Sequence, residues 1–375
     1  MNWRFDVVIP SLQSEGLVLA EVNGCLGLIT LNRPQALNAL SLPMIRDLTT
    51  LLKAWAADAR IQAVVVLGAG REGKPAAFCA GGDIRFFHQA ALAGDAALDA
   101  FFTEEYALNH LIHQFPKPYI ALMDGVVMGG GMGISQGAKL RVVTEHSKLA
   151  MPETNIGLFP DVGGGYFLSR CPGSSGEWLA LTGQVIGAGD AIELGLGDVF
   201  VKSSELPAII EAFRTGPQDS AEHVVATVME RADLAPDAEH WESRQKINQH
   251  FSAASVPALM ASLAADADPW AQATLEVLKK RSPLMMAVTL EQVRRARGMS
   301  LADDLRMERD LVHHCFHLRP GAASETVEGI RALAVDKDHA PKWNPASVDQ
   351  LDAAEVAKFF VSPWAGQEHP LKGLQ

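Results

Sequence analysis

The segment that most constrains the fold is Ile61–Leu67, which reads IQAVVVL. A half-exposed strand alternates apolar and polar side chains, whereas a near-continuous β-branched run predicts a strand buried on both faces, as in a parallel sheet. The surrounding chain supplies the matching order. Leu17–Val22 and Leu26–Leu31 are apolar runs separated by Asn23-Gly24, a hairpin signal. Ser41 is placed to cap a helix running to about Ala57, with Leu42, Ile45, Leu48, Leu52 and Trp55 near helical spacing. A helix is expected over Ala97–Gln114; Pro116 and Pro118 then lead into a strand over Tyr119–Met123. Gly129–Gly133 opens a short helix, and Leu140–Thr144 reads as another strand. Repeated strand–helix–strand order implies an α/β core.

After about Val201 the pattern changes. Glu205–Arg214, Ala221–Arg231, Trp270–Arg281, Pro283–Arg297 and Leu301–Leu318 all read as helices, and glycine thins out. Active-site loops are therefore expected in the first half. The expected division is 1–200 as an α/β core and 201–375 as a helical region that completes or covers it. With 375 residues, and about 150 per domain as a guide, two units or one large domain with an appendage are expected.

Composition excludes several classes. At 48% hydrophobic and 20% charged residues the chain is not disordered throughout. With 32 basic and 44 acidic residues it carries a formal charge of −12, which argues against nucleic-acid or anionic-membrane partners. A local basic pocket for a phosphorylated ligand stays open. Cys25, Cys79, Cys171 and Cys315 are widely spaced and form no CxxC pair, so a reducing compartment is expected. The first residues, MNWRFDVVIPSLQSEG, lack a basic-then-apolar signal pattern, and no apolar run approaches the ~20 residues of a membrane span. These features together predict a soluble, cytoplasmic protein.

Two motifs are set aside. Val64–Lys74 reads VVVLGAGREGK, in which Gly68, Gly70 and Gly73 satisfy GxGxxG and Gly68, Gly73 and Lys74 satisfy most of a P-loop. Both motifs need a helix directly afterwards to hold phosphate. Here Pro75 follows, where a P-loop needs Ser or Thr, and a strand-to-loop turn is the better reading. His313 and His317 share a helix face beside His314 and Cys315. No glutamate completes a metalloprotease pattern there, so a helix surface is preferred and no metal is expected.

Chemistry is concentrated in three glycine-rich segments. The first is FCAGGDI (78–84), the second MDGVVMGGGMG (123–133), and the third AMPETNIGLFPDVGGG (150–165). Glycine lets backbone N–H groups approach a ligand, and two such groups from separate loops can converge on one oxygen. Any one of these loops alone would read as a tight turn. The third loop adds Glu153 and Asp161, each directly after a proline. Charged groups on apolar loops are costly unless solvated, paired or used, and a carboxylate pair can supply nucleophile, base and acid.

Together these segments resemble the crotonase superfamily, the enoyl-CoA hydratase/isomerase family. The match begins at LNRPQALNAL (31–40) and covers roughly Gly16 to Ala353. The resemblance implies a ββα spiral core binding acyl-CoA, with a helical C-terminal region. It implies that the N–H groups of Gly82 and Gly130 form an oxyanion hole. It also implies that Arg33–Ala36 and the Ala80–Ile84 loop, with Asp83, border the CoA nucleotide. Hydratases of the family carry a glutamate two residues after the glycine triplet, where this chain has Gly133. They keep a glutamate at the position of Glu153 and have glycine where Asp161 stands. The PET…GLFPDVGGGYFL segment (152–168) instead resembles the 3-hydroxyisobutyryl-CoA hydrolase subgroup. So do FFTEEY (101–106), which implies Glu105 near the acyl pocket, and EGIRAL (328–333) followed by Asp336-Lys337-Asp338, Pro341, Trp343 and Pro345.

The expected activity is hydrolysis of a short 3-hydroxyacyl-CoA, with 3-hydroxyisobutyryl-CoA from valine breakdown as the leading case. The expected catalytic residues are Glu153, Asp161, Gly82 and Gly130, with Glu105, Arg33, Ala36, Ala80, Asp83 and Ile84 binding substrate. No cofactor is expected, since CoA is part of the substrate. A homo-oligomer is left open. The alternatives are an enoyl-CoA hydratase/isomerase and, more remotely, a non-catalytic acyl-CoA-binding subunit.

Overall fold

The computed structural model describes residues 9–71 and 77–375. Its strands are β1 (Val18–Asn23), β2 (Leu26–Leu31), β3 (Ala63–Gly68), β4 (Tyr119–Met123), β5 (Val126–Met128), β6 (Leu140–Val143), β7 (Lys148–Ala150), β8 (Val199–Val201) and β9 (Ala232–Asp233). Seven of them form one sheet in the order β1-β2-β3-β4-β6-β8-β9, parallel from β2 to β8 with an antiparallel strand at each edge. Strands β5 and β7 form a separate parallel pair. The first hairpin turns at Asn23-Gly24 as expected, with Asn23 paired to Leu26 and Gly24 at φ +54°.

The first half carries helices α1 (Leu42–Ala57), α2 (Ile84–Ala93), α3 (Ala97–His113), α4 (Gly130–Gln136), α5 (Gly164–Leu168), α6 (Ser175–Thr182) and α7 (Ala188–Glu193). Beyond β8 come α8 (Leu206–Thr215), α9 (Ala221–Met229), α10 (Arg244–Phe251), α11 (Val256–Ala265), α12 (Pro269–Leu278), α13 (Pro283–Ala296), α14 (Leu301–His317), α15 (Glu325–Ile330) and α16 (Ala353–Lys358). The expected helices recur within a few residues of their bounds. One detail differs: Ser41 occupies the N-cap position of α1, but its hydroxyl makes no capping bond. Pro43 sits at the second helical position and has no N–H to offer.

The β-branched run is buried on both faces because helices from both halves of the chain cover the sheet. Val64 and Val66 belong to the same buried cluster as Leu48, Leu52, Trp55 and Leu108 of α1 and α3. Ala63, Val65 and Leu67 pack with Leu206, Ile209 and Phe213 of α8 and with Val224 and Val228 of α9. Gly27 allows the first packing, since a Cβ there would stand 2.5 Å from the Trp55 ring. Further along the chain, α13 and α14 pack on α5, and α15 packs on α2 and on the turn Glu153–Ile156. The C-terminal helices thus reach the loops that follow the strands. No helix among the described residues is long and apolar enough to cross a membrane.

Candidate active site

Three loops meet beyond the carboxyl ends of the sheet. The first is tied to β5 on both sides of Cys79: its N–H donates to the Val126 carbonyl at 3.0 Å, and its carbonyl accepts from Met128 N–H at 3.0 Å. Leu40 N–H holds the Gly81 carbonyl at 2.7 Å. The second loop turns at Gly129, φ +50°, into α4, and Gly129 N–H donates to the Ala150 carbonyl at 3.3 Å. The third carries Glu153 at the start of a 3-10 turn directly after β7.

Close approach explains the glycines. A Cβ at Gly130 would stand 2.5 Å from Glu105 Oε1, one at Gly129 2.8 Å from Glu153 Oε1, and one at Gly82 2.6 Å from the Phe87 ring. Neither Gly82 N–H nor Gly130 N–H donates to a backbone carbonyl among the described residues. Both residues line a cavity of about 220 Å³ with Glu105, Glu153 and Asp161. Ala80 and Ile84 line it too, and Phe87, Phe102, Leu158 and Leu333 supply apolar wall.

The three carboxyl groups are buried, and burial pushes all of them up. Glu105 is driven well above the ordinary range by desolvation, then by the charges of Asp161 and Glu153. Glu153 is likewise driven well up by desolvation and by Asp161. Desolvation raises Asp161 to about 6; the Tyr106 hydroxyl, donating to Asp161 Oδ2 at 2.8 Å, holds it lower than it would otherwise be. Glu105 Oε1 and Glu153 Oε2 have no hydrogen-bond partner among the described residues. Buried oxygens left unpaired at a cavity wall are groups poised for a ligand.

The structure therefore brings together Gly82, Gly130, Glu105, Glu153, Asp161, Ala80 and Ile84. It places Arg33, Ala36 and Asp83 outside the cavity wall. Arg33 Nη2 pairs with Asp83 Oδ2 at 2.7 Å, and Arg33 Nη1 donates to the Ala39 carbonyl. Asp83 caps α2 through Phe86 N–H, and Ala36 lies in the 3-10 turn Pro34–Ala36.

Sequence reasoning missed Tyr106, Val162 and Leu333. Tyr106 carried a usable signal, because a tyrosine on an apolar helix needs an acceptor for its hydroxyl when buried. Leu333 lies in the EGIRAL segment (328–333), whose likeness to the hydrolase subgroup was visible, but nothing local to that segment directs it to the cavity. Val162 is a β-branched residue at φ +57°, a backbone region that such residues rarely occupy. It closes the space beside Gly133: a Cβ at Gly133 would stand 2.6 Å from Val162 Cβ and 2.9 Å from Asn109 Nδ2.

The motifs set aside are also placed. Gly68 ends β3, and a Cβ there would stand 2.0 Å from the Ala77 carbonyl oxygen. Asn38 Nδ2 bridges the Ala69 and Ala77 carbonyls, so the chain returns on itself before α2. Gly73, Lys74 and Pro75 lie outside the described residues. The donor atoms of His313 and His317 lie within 4.8 Å of each other and of a carboxylate oxygen of Asp99. The same carboxylate binds Arg309 Nη2, which already supplies a countercharge. His314 bonds the Val361 carbonyl instead, and Cys315 is buried.

This fold and this cluster of loops define an acyl-CoA-handling class: the enoyl-CoA hydratase/isomerase family matches residues 26–360, and the chain belongs to it. Among curated relatives, the protein named 3-hydroxyisobutyryl-CoA hydrolase, mitochondrial, from Rattus norvegicus is 42% identical, with 92% of this chain and 89% of the relative covered. Its namesake from Homo sapiens is 40% identical over the same shares, less one point for the relative. Among solved structures, a carnitinyl-CoA dehydratase from Mycobacterium thermoresistibile superposes with TM-score 0.82 at 38% identity, covering 92% of this chain and 96% of that one. An enoyl-CoA hydratase from Rhodobacter sphaeroides 2.4.1 gives the same TM-score at 36% identity, covering 92% and 97%.

The relatives correct one expectation. The sequence was read as that of a cytoplasmic protein, whereas the curated relatives are mitochondrial by name. That expectation rested on the lack of a secretory signal and of a disulfide framework, and neither feature separates one reducing compartment from another.

Proposed function

We propose that the chain hydrolyses a short 3-hydroxyacyl-CoA thioester, with 3-hydroxyisobutyryl-CoA as the preferred substrate and valine breakdown as the setting. The observation that carries this reading is the pairing of two buried carboxyl groups, Glu153 and Asp161, with two unengaged N–H groups on one small cavity. The named activity of the curated relatives supports it.

The thioester oxygen accepts hydrogen bonds from Gly82 and Gly130 N–H, which stabilise the oxyanion as the carbonyl carbon becomes tetrahedral; one such donor is worth about 3–4 kcal/mol in comparable enzymes. Two coupled acids in one dry site hold a single proton between them near neutral pH. With that proton on Asp161, the Glu153 carboxylate either attacks the carbonyl carbon and expels the CoA thiolate, leaving an anhydride that water opens, or takes a proton from the attacking water. Asp161 returns its proton to the departing thiolate. Tyr106 favours charge on Asp161 in the resting protein, so substrate binding must shift the proton from Glu153 to Asp161 before Glu153 acts. Glu105, driven toward its neutral form, both donates to and accepts from a 3-hydroxyl group. No step calls for a cofactor, because CoA arrives with the substrate.

A second reading, hydration or dehydration of an enoyl-CoA, is favoured by the names of the two solved structures. Against it stands the closed space at Gly133 and Val162. The deciding experiment follows free-thiol release from a panel of CoA thioesters, with enoyl absorbance recorded in parallel. Thiol release selective for 3-hydroxyisobutyryl-CoA supports the proposal. Enoyl loss without thiol release overturns it in favour of a hydratase, and tight binding without either leaves a non-catalytic acyl-CoA-binding protein.

A further inference from the structure

Glu308 is fully buried on α14, a helix that contributes no residue to the wall of the reaction cavity. A buried glutamate without a basic partner is costly and needs another reason to be there. Two of its partners are backbone N–H groups of one loop: Gly163 N–H donates to Oε2 at 2.7 Å and Gly165 N–H donates to Oε1 at 2.9 Å, while the Asp304 carboxyl adjoins it on the same helix. One turn earlier on α14, Asp304 is also fully buried and accepts from Tyr166 N–H at 2.8 Å. Gln292 of α13 completes the clamp: its Nε2 donates to the Pro160 carbonyl at 2.7 Å and to Glu308 Oε1 at 3.0 Å.

These contacts bracket Asp161. Gln292 fixes the carbonyl just before it, and Asp161's own carbonyl accepts from Gly164 N–H at 2.8 Å. Glu308 fixes the N–H groups two and four residues after it. Between them stands Val162 at φ +57°, a conformation its side chain disfavours and which the surroundings must impose. The local sequence fits the clamp. Gly163 sits at φ +87°, and a Cβ at Gly165 would stand 2.4 Å from Asp304 Oδ1, so glycine alone admits that carboxylate.

We infer that Glu308, working with Gln292, is a positioning residue that holds the 160–165 loop in the strained form which presents Asp161 to Glu153 and keeps Val162 over Gly133. The inference rests on the proposed role of Asp161. Glu308 touches no part of the cavity; it acts through the loop backbone. Displacement of a reacting group by about an ångström can cost on the order of 100-fold in rate.

The test is Glu308→Gln, which keeps one acceptor oxygen and turns an NH₂ group toward the other loop N–H. The expected result is a kcat lowered by about 10- to 100-fold with KM changed by less than about 2-fold, in a protein that stays folded. A double-mutant cycle with Asp161→Asn separates positioning from general loosening: in the Asp161→Asn background, Glu308→Gln should cost less than about 2-fold. A full additional loss there overturns the inference, because a merely structural role does not depend on Asp161. Wild-type turnover by Glu308→Gln in a protein whose Asp161→Asn variant is inactive also overturns it. Wild-type turnover by Asp161→Asn overturns the reading of Asp161 itself. Should Glu308→Gln fail to fold, Gln292→Met removes the same clamp at its other end, and the same cycle is run with it.

Discussion

At the scale of single residues, the site sets charge against burial. Glu153 carries an unpaired buried oxygen and is pushed up by desolvation. Its ionisation is therefore a cost to the folded state and a requirement of the proposed chemistry. Glu153→Gln should lower turnover by at least about 100-fold, the usual scale for a lost acid–base group. The same variant should melt no lower than the parent at pH 8, because it removes a carboxylate that burial disfavours. Thiol release and thermal melts on one preparation check both halves. Tyr106→Phe tests the neighbour. Without the hydroxyl that stabilises its anion, Asp161 rises above about 6. The acid limb of the kcat/KM profile should then move to higher pH; an unmoved limb would detach Asp161 from the rate.

At the scale of elements, the two halves of the chain share one sheet. Phe213 of α8 packs on the face of β3 opposite to the reaction cavity, with Ile209 and Val65. Phe213→Ala should cost about 3–5 kcal/mol of stability, measured by denaturant unfolding, while leaving kcat of the folded protein unchanged. What was legible in the sequence follows from locality. The hairpin at Asn23-Gly24, the two-faced strand β3 and the long helices α1, α3, α13 and α14 are written in short-range periodicity. Glycine-rich runs marked where backbone comes close to the side chains of the cavity, and the carboxylates Glu153 and Asp161 were visible in one of the same segments. Helix α2 went unread because it begins inside a glycine-rich loop; Asp83, which the resemblance placed beside the CoA nucleotide, is also its N-cap. The clamp from Glu308 to Gly163 joins positions 145 residues apart, and no local pattern reports a contact of that range. Leu333 reaches the cavity by the same kind of long return.

At the scale of the whole molecule, the buried acids set how stability depends on pH. Asp161 is raised to about 6 and Asp304 to about 7, while Glu105, Glu153 and Glu308 stand well above the ordinary range, each chiefly through desolvation. An acid raised by folding keeps its proton in the native state at a pH where the unfolded chain has released it. The native state then binds more protons, and stability falls as pH rises. For all five groups the stability is fully present below about pH 4; for Asp161 and Asp304 it is lost as pH climbs through about 6 and about 7, and for the three glutamates the loss continues to higher pH. Surface carboxylates act in the opposite sense. Asp58, Asp268 and Asp338, held down by Arg60, Lys246 and Arg331, add stability that disappears only on acidification below the ordinary carboxylate range. They lie at the surface, partly or fully exposed, so solvent screening keeps their contribution small. The two sets leave a stability maximum on the acidic side of neutrality. His110, His113, His314 and His369, held down chiefly by burial, act against this trend below about pH 6.5, so melting temperature should fall between pH 7 and pH 8.5, with a shallower slope in Glu153→Gln, which has one fewer buried proton. A melting temperature that rises over that interval would mean that the five acids are ionised in the folded protein, and the proton that Glu153 and Asp161 are proposed to share would not be there to reach the thiolate.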